Sequence, residues 1–358
     1  MKKMIIIFGC LICLIIIIFV FSSRKPMMII NPQGYPELSL SARPDWAQWR
    51  AEGKGIAKFF RHFFAYKEKS ENMVLNAFPE QNAFFAAQKQ MLAHLPQPPK
   101  SQTYVRIAFV GDLMEVPTIN ERFIAPEILT ELQSMDFVLG NLETPVSQSS
   151  TISEFRNSLS QFNVPPNYLN ALVMNGKSAF QFLSLANNHI LDRGDLGVQE
   201  TIQNVTAKNI LVHGADQKKF VLFSTKGIRV GISAATWGVN PQAFQGKVTS
   251  PIWYLKGIAP LDKNHIDLSQ LKDSLVEMKK AGVDFKILFL HWGFEFETYP
   301  DPIIQEVGRE LILAGADLII GSHPHVLQPF ELVQAPDHQG LIAYSMGNFP
   351  AYPVAVQC

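Results

Sequence analysis

Cysteine is scarce in this sequence, and its three copies are badly placed for cross-linking: Cys10 and Cys13 lie in the N-terminal apolar run and Cys358 is the last residue. None can staple the folded part to itself, which excludes a disulfide scaffold and a cysteine-rich zinc site. A charge excess is lacking too. Lysine plus arginine and aspartate plus glutamate stand at 31 each, so no basic field argues for nucleic acid and no acidic excess for a disordered chain. Internal repeats and low-complexity tracts are also absent. What is present is apolar content, 47% of 358 residues, together with nine histidines. That is enough for one large α/β domain plus an appendage, or for two ordinary domains, with imidazole left for metal chemistry.

Residues 4–21 are almost wholly apolar, with Lys2 and Lys3 before them and Arg24 and Lys25 after. Such a run is long enough to cross the hydrocarbon layer as a helix. A retained anchor is expected over a cleaved signal peptide, whose apolar centre is usually shorter and ends at a small-residue site; only Val20-Phe21-Ser22 approximates one. A lipoprotein reading at Ile7-Phe8-Gly9-Cys10 fails because the apolar run continues past the cysteine. Basic residues on both flanks specify orientation weakly. The expectation is a single-pass cell-membrane protein with its main domain outside the cytoplasm, the alternative a secreted or periplasmic one.

Residues 24–103 have no strong strand pattern and contain Lys58-Phe59-Phe60-Arg61-His62-Phe63-Phe64-Ala65-Tyr66-Lys67. A core-packing helix with solvated lysines is the favoured reading of that stretch, over a helix lying on a membrane. Pro96-Gln97-Pro98-Pro99 reads as a stiff linker. Three parts follow: an anchor or signal over 1–23, an extension with linker over 24–103, and the main domain over 104–358. In the last, strands are predicted at 104–110, 136–139, 179–185, 210–213, 220–225, 228–235, 285–290, 318–320 and 341–344, with helices at 126–135, 196–208, 267–281 and 303–314. This alternation predicts an α/β fold with a parallel or mixed sheet.

Five of these strands end in polar, metal-competent or glycine-containing residues. The carboxyl ends of strands form the site in open α/β sheets, so Asp112, Glu143, Asn188, His189, His291, His323 and His325 could converge. Oxygen and imidazole ligands without thiolate suit manganese, iron or zinc. Each element alone has a plainer reading. Gly111-Asp112 and Asn187-Asn188 can be turns, and His291 can be a hydrogen-bonded structural residue. The His323-x-His325 pair is stronger, because one bend can aim both imidazoles into one cavity.

The blocks Phe109-Val110-Gly111-Asp112-Leu113-Met114, Gly140-Asn141-Leu142-Glu143-Thr144-Pro145 and Leu185-Ala186-Asn187-Asn188-His189 resemble the bacterial CapA family. So do His291-Trp292-Gly293-Phe294-Glu295-Phe296, Gly321-Ser322-His323-Pro324-His325 and Tyr344-Ser345-Met346-Gly347-Asn348-Phe349. The resemblance covers roughly residues 104–350. It implies a role in poly-γ-glutamate capsule synthesis and a calcineurin-like metallophosphatase fold, layered α/β with mixed sheets. It further implies one or two divalent cations held by Asp112, Glu143, Asn188, His291, His323 and His325, with His189 protonating a leaving group. Asn141 and Glu295 are expected to face substrate. Two departures affect the second cation position: Asp112-Leu113-Met114 replaces Asp-x-His, and Gly140-Asn141-Leu142-Glu143 replaces Gly-Asp-x-x-Asp. Family members usually continue beyond the point where Cys358 closes this chain, so a short C-terminus with an incomplete sheet edge is expected.

The leading expectation is therefore a membrane-anchored CapA-like protein acting on an anionic polymer or phosphorylated intermediate, beside membrane-bound synthase components. An exported phosphoesterase and a non-catalytic accessory subunit of a polymer synthase are the alternatives.

Overall fold

Along β3 (Tyr104–Leu113), Ile107 and Phe109 face one core while Ala108 and Val110 face another, as the two-residue period of a strand requires. The same split recurs in β4 (Phe137–Leu142), with Phe137 and Leu139 on one side and Val138 on the other. A sheet apolar on both faces must be covered on both. The computed structural model describes residues 2–8, 15–21, 79–94, 104–114, 123–148, 162–240, 248–256 and 266–350.

Two six-stranded sheets stack over a shared core. The first runs β1-β2-β3-β4-β7-β8, where β1 is Lys2–Phe8, β2 Ile15–Phe21, β7 Phe182–Ser184 and β8 Leu211–His213. A small hairpin, β5 (Val173–Met174) with β6 (Lys177–Ser178), stands apart. The second sheet runs β13-β14-β12-β11-β10-β9, where β9 is Val221–Thr225, β10 Ile228–Thr236, β11 Phe285–His291, β12 Leu318–Ser322, β13 Phe330–Gln334 and β14 Gln339–Ala343. Strands β3, β4, β7 and β8 are parallel, as are β10, β11, β12 and β14. Phe109, Phe137 and Phe182 meet Ile232, Phe289, Ile320 and Leu341 between the sheets.

Outside, α2 (Pro126–Gln133) and α3 (Gly194–Thr206) cover the first sheet, and α4 (Ser269–Lys280) and α5 (Pro302–Leu313) the second. The preceding α1 (Pro79–Ala93) lies against β13, where Gln88 Oε1 accepts the Leu332 N–H at 3.0 Å. The fold is thus mixed α/β with several sheets, as the alternation predicted.

Where one helix was expected, residues 2–8 and 15–21 are strands: β1 and β2 pair antiparallel and β2 pairs antiparallel with β3, and no described helix is long and apolar enough to cross a membrane. The reason lies in composition. An isoleucine-rich run has strand propensity as well as hydropathy, and the open edge of β3 offers unpaired backbone groups. The 58–67 stretch, the Pro96–Pro99 linker and the cysteines lie outside the described residues.

One irregularity positions the site. Phe109 pairs with Leu139 but Asp112 pairs with Asn141, so β3 spends one residue more than β4 over this step. Such a bulge reverses the facing of everything after it. Strict alternation would put Asp112 on the outer face with Ala108 and Val110; the bulge turns it inward. Gly111 lets the backbone of residues 346–348 pass close, since a Cβ there would lie 1.7 Å from Gly347 O. Asp112 N–H donates to Gly347 O at 2.9 Å and Phe349 N–H to Asp112 O at 2.8 Å.

Candidate metal centre

The carboxyl ends of strands from both sheets open onto one edge of the sandwich, and their side chains meet there. Asp112 is buried and accepts from Asn141 Nδ2 at 2.8 Å and from the His323 N–H at 3.0 Å. Its second oxygen lies 3.5 Å from His325 Nδ1. Glu143, just after β4, is 3.5 Å from His291 Nε2 and 3.9 Å from His325 Nε2. Asn188 Oδ1 is 2.8 Å from His291 Nε2, and the His291 and His323 rings are 4.6 Å apart.

Two triads can hold a cation, Asp112 with Glu143 and His291, and Glu143 with His323 and His325; within each, the ligand atoms lie within 4.8 Å of one another. Glu143 belongs to both. Its carboxylate is fully buried, and neither oxygen has a hydrogen-bond partner among the described residues. An unneutralised buried carboxylate is costly, and burial, then Asp112 and Glu295, push Glu143 well above the ordinary carboxylate range. A divalent cation would remove that cost, so the donor set fits one.

Backbone and outer contacts aim the ligands. His323 and His325 flank Pro324 with φ of 95° and 59°, a conformation that costs non-glycine residues about 1–3 kcal/mol each and turns both imidazoles toward Glu143. His325 Nδ1 is 2.8 Å from Asn348 Oδ1, and His291 Nδ1 is 2.9 Å from Ser322 Oγ. Burial, then the neighbouring histidines, hold His291 well below the ordinary histidine value, which leaves it neutral and ligand-competent. For His325 burial acts in the same sense, but Asp112, Glu295 and Asn348 outweigh it and raise the ring.

His189 stands beside the cluster. Its Nδ1 is 2.6 Å from Asp192 Oδ2, and Phe162 stacks on its ring at 4.0 Å. Asn187 braces this loop: its Nδ2 donates to Leu142 O at 2.8 Å, and its Oδ1 accepts the His189 N–H at 3.1 Å. Of the residues singled out from sequence, Asp112, Asn141, Glu143, Asn188, His291, His323 and His325 come together. Asn141 is fully buried with Nδ2 on Asp112 and Oδ1 accepting from Asn187 at 3.3 Å, the geometry of a brace for the aspartate and not of a substrate contact. Glu295 is half-buried and acts on Glu143 and His325 through its charge. Sequence reasoning assigned no role to Asn348, Ser322 or Asn240. The first two sit inside the Tyr344–Phe349 and Gly321–His325 motifs; nothing local marks Asn240.

Replacing Glu143 by glutamine tests the burial argument. A carboxyl group whose folded pKa is raised contributes stability that is present below the unfolded value and lost as pH rises through the folded one. The cation-free protein should therefore lose stability above about pH 4.5 through Glu143. Glu143→Gln should recover about 1–3 kcal/mol at neutral pH and flatten that pH dependence, read by thermal melting in chelator.

Fold and cluster define a mixed α/β protein with a carboxylate, amide and imidazole centre competent for cations. The chain belongs to the bacterial capsule synthesis protein family PGA_cap, whose pattern matches residues 106–352. It is 28% identical over 278 residues to the PGA biosynthesis protein CapA of Bacillus subtilis strain 168, covering 72% of this chain and 67% of that one. It is 30% identical over 257 residues to the capsule biosynthesis protein CapA of Bacillus anthracis, covering 68% of this chain and 59% of the relative. A solved NAD nucleotidase of Haemophilus influenzae superposes with a TM-score of 0.36 at 15% identity over 68% of this chain and 41% of that one.

Proposed function

We propose that this protein serves poly-γ-glutamate capsule biosynthesis through a cation centre on a metallophosphatase-like fold. The observation that carries the reading is Glu143, a fully buried carboxylate without a hydrogen-bond partner among the described residues, shared by two ligand triads. Asp112, Glu143, Asn188, His291, His323 and His325 would hold one or two divalent cations of the manganese, iron or zinc kind, which oxygen and imidazole donors suit. A cation there supplies Lewis acidity toward a phosphoryl or carbonyl oxygen.

The chain's own residues do the rest. Asp192 takes the Nδ1 side of His189, which fixes the ring and leaves Nε2 as the atom that gives a proton to a leaving group. Glu295 at the rim is the remaining candidate for a substrate contact. The substrate is a γ-linked polyanion or a phosphorylated intermediate. With a net charge of zero, the protein relies on the cations to hold such a group. The working place is the cell surface, beside membrane-bound synthase components. Phosphoester cleavage is a second reading, favoured by the His189–Asp192 pair.

In a capsule-forming host whose own copy is deleted, the wild-type chain should restore polymer and His323→Ala should not. Full restoration by His323→Ala would leave an accessory subunit as the better reading.

A further inference from the structure

We infer that Asn240 is a positioning residue, which holds the amide of Asn188 with its oxygen turned to the cation cluster. The inference rests on the reading that the cluster takes up cations. Asn240 lies on the short segment after β10 that runs between the two sheets' loops. Trp237 N–H donates to His291 O at 3.0 Å at one end, and Asn240 N–H donates to Asn188 O at 2.9 Å at the other. The segment therefore clasps, by backbone, the two residues whose side chains meet at 2.8 Å across the sheets.

The side chain carries the argument further. Asn188 Nδ2 donates to Asn240 Oδ1 at 3.3 Å, and Asn240 Nδ2 lies 3.4 Å from His189 Nδ1. An asparagine that offers its oxygen to a cation must satisfy two N–H donors elsewhere. A half-turn of that amide would exchange oxygen for nitrogen and cost the site a ligand. With the Asn240 oxygen as acceptor, the orientation of Asn188 that keeps its oxygen inward is the satisfied one. Asn240 touches neither the carboxylates nor the histidine ligands of the cluster in any contact described, so its effect on cation binding passes through Asn188.

The test is titration calorimetry of the full chain with manganese alone, on wild type, Asn240→Ala and Asn240→Asp, with thermal melting of the cation-free proteins alongside. Loss of an outer partner of this kind weakens metal binding about 10–100-fold. That is the result expected for Asn240→Ala at an unchanged melting temperature, whereas Asn240→Asp keeps the acceptor oxygen and should recover most of the affinity. Equal affinity in wild type and Asn240→Ala overturns the inference and leaves the functional reading standing. A lowered melting temperature with equal loss in both variants marks a packing role and overturns it as well. No manganese uptake by wild type removes the functional reading instead, and the inference with it.

Discussion

On the phosphoester-cleavage reading, substituting His189 by alanine is expected to slow cleavage of an alkyl phosphate by the manganese-loaded protein about 10²–10⁴-fold, the usual contribution of a positioned proton donor. The metal content should be unchanged, because the imidazole of His189 points its Nδ1 at Asp192 and not into either triad. A nitrophenyl phosphate, whose leaving group departs without a proton, should lose far less. That contrast between leaving groups is diagnostic. Equal losses on the two esters would mean that His189 supports the loop structurally through Phe162 and Asn240, and the acid role would fall.

The second large effect concerns the cations themselves. Asp112→Ala with His325→Ala removes one ligand from each triad and leaves Glu143 common to two incomplete sets. A divalent ion held at a three-residue set by charge and imidazole donation cannot compensate for such a loss, so elemental analysis should find the wild-type chain loaded and the double variant essentially empty. Equal metal content in the two proteins would end the catalytic case, whatever the capsule phenotype.

Much of the architecture was legible from local pattern. The strand and helix over 285–291 and 302–313 were expected at 285–290 and 303–314, because an apolar run after glycine and an apolar helical stripe each declare their element without reference to the rest of the chain. Among the segments that did not declare themselves are β13 and α1. β13 (Phe330–Gln334) has its edge N–H covered by α1 across the fold, and α1 itself (Pro79–Ala93) lies in a region with no expected element. Their stability comes from partners distant in sequence. The N-terminal run misled for the related reason that isoleucine satisfies a lipid-spanning helix and a sheet edge equally well by composition.

By itself the sequence determined which residue types end each strand, and hence that Asp112, Glu143, Asn188, His291, His323 and His325 were candidates to share a pocket. Only the tertiary structure decided that they do. The bulge between Phe109 and Asp112 reverses the face on which the aspartate emerges, and the left-handed backbone at His323 and His325 aims both rings at Glu143. Asn348 and Asn240 arrive on the segments after β14 and β10 to orient the ligands. Periodicity and residue chemistry are properties of a few neighbouring positions, whereas register and the approach of one loop to another are set by the packing of two sheets against each other.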